Sequence, residues 1–299
     1  MAEVSTNIPT EKTNYSKFAG YLKLTKFRLA SLVVFSAVIT FITMSDTINW
    51  ISLAALTFGG FMVTGSANGF NQIIEKDLDK KMHRTMHRPM PLDVLNAVEA
   101  FIFCSLIGII GTVLLWVYTN PLSGILGFIS ILLYALVYTP LKRTTPLSVF
   151  VGAFPGALPT LIGAVAATEG FGKISFLAIL LFLIQFVWQF PHFWSLAWFN
   201  SEDYAKADFY LLPSNGGKDK STQFQILLYC VFLLFVSIFP FIFGFTGLIS
   251  AIVCVVAGIT LVLQAYNFYR LGTDELAKKL FFITLIYLPV VQLALMTKQ

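Results

Sequence analysis

Nine long apolar runs set the limits on what this chain can fold into. They fall near residues 29–45, 51–72, 94–118, 122–140, 147–167, 174–199, 223–241, 247–268 and 279–297. A helix of about 20 mostly apolar residues crosses the hydrocarbon core of a bilayer. Unpaired backbone groups are too costly in lipid for open alternatives, and the runs are too continuous for the alternating strands of a barrel. Composition agrees: 57% of the 299 residues are hydrophobic and 12% are charged, against about 25% charged in soluble domains. Lipid must be the solvent for most of the chain. The predicted fold is an all-α polytopic membrane protein, which excludes a soluble enzyme, a disordered chain and a disulfide scaffold.

The basic residues orient the spans. With the N-terminus in the cytoplasm, 18 of the 20 lysines and arginines fall on the cytoplasmic side; only Lys173 and Lys298 lie outside. This satisfies the positive-inside rule and puts the C-terminus outside. The net charge of +5 therefore reflects loop bias and gives no reason to expect nucleic acid. Residues 1–27 read as a polar cytoplasmic tail, disordered over 1–15, and 28–299 as a single nine-helix domain. The start lacks the apolar core and cleavage site of a signal peptide and the Arg/Ser-rich character of a transit segment, which favours a bacterial inner (plasma) membrane. Cys104, Cys230 and Cys254 sit in apolar runs without metal-ligand spacing.

The two long loops, 73–93 and 200–222, are both cytoplasmic and follow spans two and six. That spacing suggests two similar four-helix halves plus a ninth helix, with a site between the halves opening to a cytoplasm-facing vestibule. If span two continues helically, Asn71, Glu75 and Asp79 share one face, with Asn68 near it and Asp77 pointing away. Two carboxylates and an amide oxygen at the membrane rim suit Mg²⁺, which keeps waters and bridges substrate phosphates. The basic residues that follow could hold a diphosphate. A solvated, helix-stabilising charge run is the alternative. His83 and His87 stand at i, i+4 but lack a third ligand, so packing or phosphate contact competes with a metal role. His192 lies in an apolar span, where a polar side chain is either functional or bonded to a backbone carbonyl.

The run Asn71-x-x-x-Glu75-x-x-x-Asp79 resembles the first acidic motif of the UbiA superfamily of intramembrane prenyltransferases. Arg84-Thr85 and Arg88-Pro89, the stretch Tyr138 to Leu147, Gly156-Ala157-Leu158-Pro159, Pro191-His192-Phe193-Trp194, Asp203-Tyr204 and Leu211-Leu212-Pro213 are similar to its haem-farnesylating branch. The resemblance runs from about Leu24 to the last span.

It implies a UbiA-type bundle that transfers a farnesyl group from farnesyl diphosphate to a vinyl group of haem b (protohaem IX), giving haem O for haem-copper oxidase biogenesis. It further implies Mg²⁺ and a neighbouring haem A synthase or terminal oxidase assembly. By resemblance, Asn71, Glu75, Asp79 and Asp203 hold metal and diphosphate. Arg84, Arg88, Lys142, Arg143 and Lys206 contact the diphosphate, and His192 positions haem or assists proton transfer. The chain departs from the superfamily pattern at Gln72 and Glu75, where Asp is common, and at Ala207, where a second Asp often stands; the next acid is Asp208. The alternatives are a quinone-ring or chlorin acceptor, and, outside enzymes, a transporter or haem-binding subunit. Nearly uncharged span centres argue against transport, and His192 alone cannot supply two axial haem ligands.

The orientation is checked with an impermeant maleimide on intact cells. Glu169→Cys should label from outside and Lys80→Cys only after lysis; the reverse pattern overturns it.

Overall fold

The computed structural model describes residues 16–214 and 217–297. The tail expected over 1–15 lies outside the described residues, as does Lys298. The helices in order are α1 (Lys17–Leu24), α2 (Phe27–Met44), α3 (Trp50–Ile74), α4 (Lys76–Asp79), α5 (Ala97–Tyr118), α6 (Pro121–Leu132), α7 (Thr139–Leu141), α8 (Ser148–Ala166), α9 (Phe176–Phe199), α10 (Ser201–Ala205), α11 (Lys220–Ile242), α12 (Leu248–Leu271) and α13 (Asp274–Ala294). Among the described residues, nine helical stretches are long and apolar enough to cross a membrane, one on each predicted run.

Helix ends depart from the apolar runs where capping sets them. Asn96 and Glu99 form a capping box, so α5 begins at Ala97. The last span begins at Asp274, before its apolar run. Thr273 caps it, and Asp274 and Glu275 suit the positive end of the helix dipole. Part of the stretch read as tail is also helical. Ser16 caps α1 by accepting from the Ala19 N–H at 3.3 Å. Leu24 is buried with Met90, Leu95, Ala100 and Cys104, so α1 docks on the base of the bundle.

Two groups of helices form from the packing. α2, α3, α5 and α6 pack together, and α9, α11, α12 and α13 form a second set. Between them lies α8, which touches α2, α6 and α9. Of its apolar stretch 72% is buried, against 28% for α5 and α11. Its sequence explains this, because Gly and Ala let backbones approach closely in lipid, where no hydrophobic force draws helices together. A Cβ on Gly163 would overlap the carbonyl of Ala37 in α2. From α9, Gln185 Nε2 donates to Gly156 O at 2.8 Å and Gln189 Nε2 to Ala153 O at 2.9 Å. These buried amides tie α9 to α8, which packs on α2 and α6 of the other set.

One span is irregular at the loop end. Between α6 and α7, residues Leu133–Tyr138 form a π-helical turn. Pro140 has no N–H to continue the ordinary ladder, and Tyr134 O accepts both the Thr139 N–H and, at 2.8 Å, the Thr139 hydroxyl. The widened turn sends Tyr134 and Tyr138 toward the same end of the bundle as the long loops.

Candidate active site

Span two keeps its helical course past its formal end. The Glu75 N–H donates to Asn71 O at 2.9 Å, and the Asp79 N–H to Glu75 O at 2.7 Å, although the helix breaks at Glu75 between α3 and α4. Asn71, Glu75 and Asp79 therefore face one cleft, as their spacing predicts. Asp77 points outward to Lys80 at 3.2 Å.

These acids are almost out of water: Asp79 is 0% and Glu75 3% exposed. Such carboxylates need partners. Arg88 Nη1 reaches both Asp79 oxygens, at 2.9 and 2.8 Å. Lys142 forms an ion pair with Glu75, and its ammonium lies 4.9 Å from the Tyr138 ring centre and 5.1 Å from that of Phe209. Burial pushes the Asp79 carboxyl upward against the pull of Arg88. Burial also lowers Lys142, with Glu75 opposing. Asn71 Nδ2 donates to Thr139 Oγ1 at 3.0 Å, which turns the amide oxygen away from that hydroxyl and toward the ammonium of Lys26.

Lys26 is the residue that sequence reasoning missed. It lines the cleft, yet in the sequence it is one more base before the first span. Its φ of 50° is left-handed, an uncommon conformation for a residue with a Cβ. The corner that imposes it is tied to α3: Gln72 Nε2 donates to Leu24 O at 2.7 Å, and Asn68 Nδ2 to Thr25 O at 3.5 Å. Gln72, a departure from the superfamily pattern, thus serves to aim Lys26. Burial, then repulsion from Arg88 and Lys142, pushes the Lys26 pKa well down.

The second long loop closes the cleft with Tyr204, Phe209 and Leu211, and α9 adds Phe193 and Leu196. Arg84 donates through Nη2 to the Tyr204 hydroxyl at 3.3 Å. The cleft gathers four cationic side chains, Lys26, Arg84, Arg88 and Lys142, around two carboxylates, Glu75 and Asp79. The formal excess is two positive charges over a floor of aromatic rings, a shape and charge suited to a polyanion with an apolar tail.

Five residues that the sequence brought into question do not line it. Arg143 is exposed. Asp203 accepts from the backbone N–H groups of His83 and Arg84, and Lys206 pairs with it at 3.1 Å. His192 is held between α9 and α13, with Nδ1 2.8 Å from Thr284 Oγ1 and its ring stacked on Trp188 and Phe281. Asp208 is exposed with a left-handed φ of 55°.

The hard oxygens of Asn71, Glu75 and Asp79 fit a divalent cation that brings its own phosphate ligands. Among the described residues, no three of His, Cys, Asp and Glu gather into a closed metal cage. Mg²⁺ bound through one or two carboxylates plus substrate phosphates needs none.

Residues 32–286 match the family model described as UbiA prenyltransferase family. The protoheme IX farnesyltransferase of Cytophaga hutchinsonii is 42% identical over 280 residues, 93% of this chain and 97% of its own. That of Flavobacterium psychrophilum is 44% identical over 285 residues, 93% of each chain. Among solved structures, a UbiA homolog from Aeropyrum pernix superposes with a TM-score of 0.69 at 13% identity, covering 90% of this chain and 97% of that one. One from Archaeoglobus fulgidus bound to GPP and Mg²⁺ gives 0.66 at 10% identity, covering 92% and 99%. These two share the fold.

The Glu75–Lys142 pair predicts a stability cycle. Lys142→Met leaves a buried carboxylate unpaired and should destabilise the protein by about 3–5 kcal/mol. Adding Glu75→Gln should restore most of that loss. Melting of the purified variants in detergent checks it, and additive losses would show that the two side chains are not coupled.

Proposed function

The chain belongs to the UbiA prenyltransferase family, and from that premise we propose that it transfers a farnesyl group from farnesyl diphosphate to a vinyl carbon of haem b, giving haem O. Relatives at 42% and 44% identity over 93% of the chain carry the name protoheme IX farnesyltransferase, which favours haem over a quinone-ring or chlorin acceptor. The observation that carries the chemistry is the cleft's surplus of two positive charges above aromatic walls.

Arg84, Arg88, Lys142 and Lys26 hold the diphosphate. The arriving anion supplies the counter-charge that burial denies Lys26. Asn71, Glu75 and Asp79 hold Mg²⁺, with Asp203 and Lys206 acting from further back. A metal held there would neutralise charge on the departing diphosphate. The basic side chains stabilise the same charge as the allylic C–O bond breaks and the electron pair leaves with oxygen. The faces of Tyr134, Tyr138 and Phe193 stand beside the cleft, where they can stabilise the allylic cation and exclude water from it. The vinyl group of haem b then attacks, and water completes the hydroxyethylfarnesyl product. His192 acts from behind this wall: it packs next to Phe193 and keeps that part of α9 in place.

Haem and a farnesyl chain are both apolar, which accounts for a site inside a bilayer. The basic loops support a cleft that opens on the cytoplasmic side of a bacterial inner membrane, and a product destined for haem-copper oxidases is in keeping with a haem A synthase or oxidase assembly as partner.

The test uses purified protein with haem b, farnesyl diphosphate and Mg²⁺, followed by mass spectrometry of the extracted haem. The expected result is a Mg²⁺-dependent gain of farnesyl plus water, reduced about a hundredfold or more by Glu75→Gln or Asp79→Asn. Transfer to an aromatic quinone precursor, with haem unchanged, would overturn the acceptor.

A further inference from the structure

We propose that Asp203 is a positioning residue, which grips the backbone of the first long loop so that Arg84 is presented to the cleft. This rests on the diphosphate reading of the cleft and changes the part that resemblance gives Asp203.

The carboxylate is already engaged. Oδ1 accepts from the His83 N–H at 2.8 Å and from Lys206 Nζ at 3.1 Å; Oδ2 accepts from the Arg84 N–H at 3.1 Å. Two successive backbone N–H groups converging on one carboxylate form an anion-binding nest, and charge-assisted bonds of this kind are among the stronger ones. The cleft is lined by the next residue, Tyr204, and not by Asp203.

Tyr204 completes the grip. Its hydroxyl accepts from Arg84 Nη2 at 3.3 Å, and its ring centre lies 5.3 Å from the guanidinium carbon. Consecutive residues of α10 thus hold both ends of Arg84, Asp203 the backbone and Tyr204 the guanidinium. The contact spans 119 residues of sequence, so it joins the loop after α4 to the loop after α9. Arg88, further along the same loop, is fixed separately by Asp79. Without Asp203 the segment around Arg84 loses its anchor while the acids of span two keep theirs.

The experiment compares wild type with Asp203→Asn, which keeps one acceptor oxygen, and Asp203→Ala. Three quantities are measured: amide hydrogen exchange at residues 83–84, affinity for inorganic diphosphate with Mg²⁺ present, and the Mg²⁺ concentration for half-maximal turnover. The expected result is faster exchange at 83–84 with the spans unchanged. Diphosphate affinity should fall about tenfold in Asp203→Ala and less in Asp203→Asn, with the Mg²⁺ requirement unmoved. In an Arg84→Ala background, Asp203→Ala should weaken diphosphate binding little further. Unchanged exchange overturns the grip. A raised Mg²⁺ requirement, or full additivity with Arg84→Ala, overturns the positioning role in favour of metal binding. A wild-type protein that binds no diphosphate at all overturns the function itself, which separates that failure from this one.

Discussion

Charge taken out of water must be answered by charge, and this requirement organises the loop end of the protein. Glu75 and Asp79 are buried at the rim of a lipid-embedded bundle. Each has a base against it, Lys142 for one and Arg88 for the other. The two pairs tie span two to the connection between α7 and α8 and to the loop after α4. They also consume only half of the cleft's cations. Lys26 and Arg84 remain in the cleft without a carboxylate of their own, Lys26 reaching Asn71 and Arg84 the Tyr204 hydroxyl, among aromatic walls.

The bundle below exists to hold that arrangement. The small residues of α8 bring it into backbone contact with α2 at Gly163 and Ala37, and the glutamines of α9 bond directly to α8 carbonyls, so the two helix sets meet through α8. Such contacts substitute for the hydrophobic force that lipid removes. They fix how far apart the two long loops lie, close enough for Tyr204 to reach Arg84 and for the Tyr210 N–H to donate to Lys142 O at 2.7 Å. The candidate spans and the helix face bearing Asn71, Glu75 and Asp79 were legible in the sequence because hydropathy and the 3.6-residue period are local signals, and the family was legible in the resemblance of its motifs.

What was not legible depends on long-range contact. Lys26 reads as a tail base until Gln72 and Asn68, more than forty residues away, bend the chain beneath it. The π turn before Pro140 was not read from the sequence, and its effect on Tyr134 and Tyr138 needs the neighbouring helices. His192 could be recognised as unusual in an apolar span, but only the structure assigns it Thr284 and two stacked rings. Asp203 carried the right charge at the right end, while its partners, two backbone N–H groups, leave no trace in side-chain identity.

The most direct test of the account is a structure of the protein with a non-hydrolysable farnesyl diphosphate analogue and Mn²⁺ in place of Mg²⁺. The account predicts an anomalous Mn²⁺ peak beside Glu75 and Asp79, with the diphosphate among Lys26, Arg84, Arg88 and Lys142, and none at Asp203. A diphosphate bound outside this cleft, or a metal with no contact to either buried acid, would contradict it.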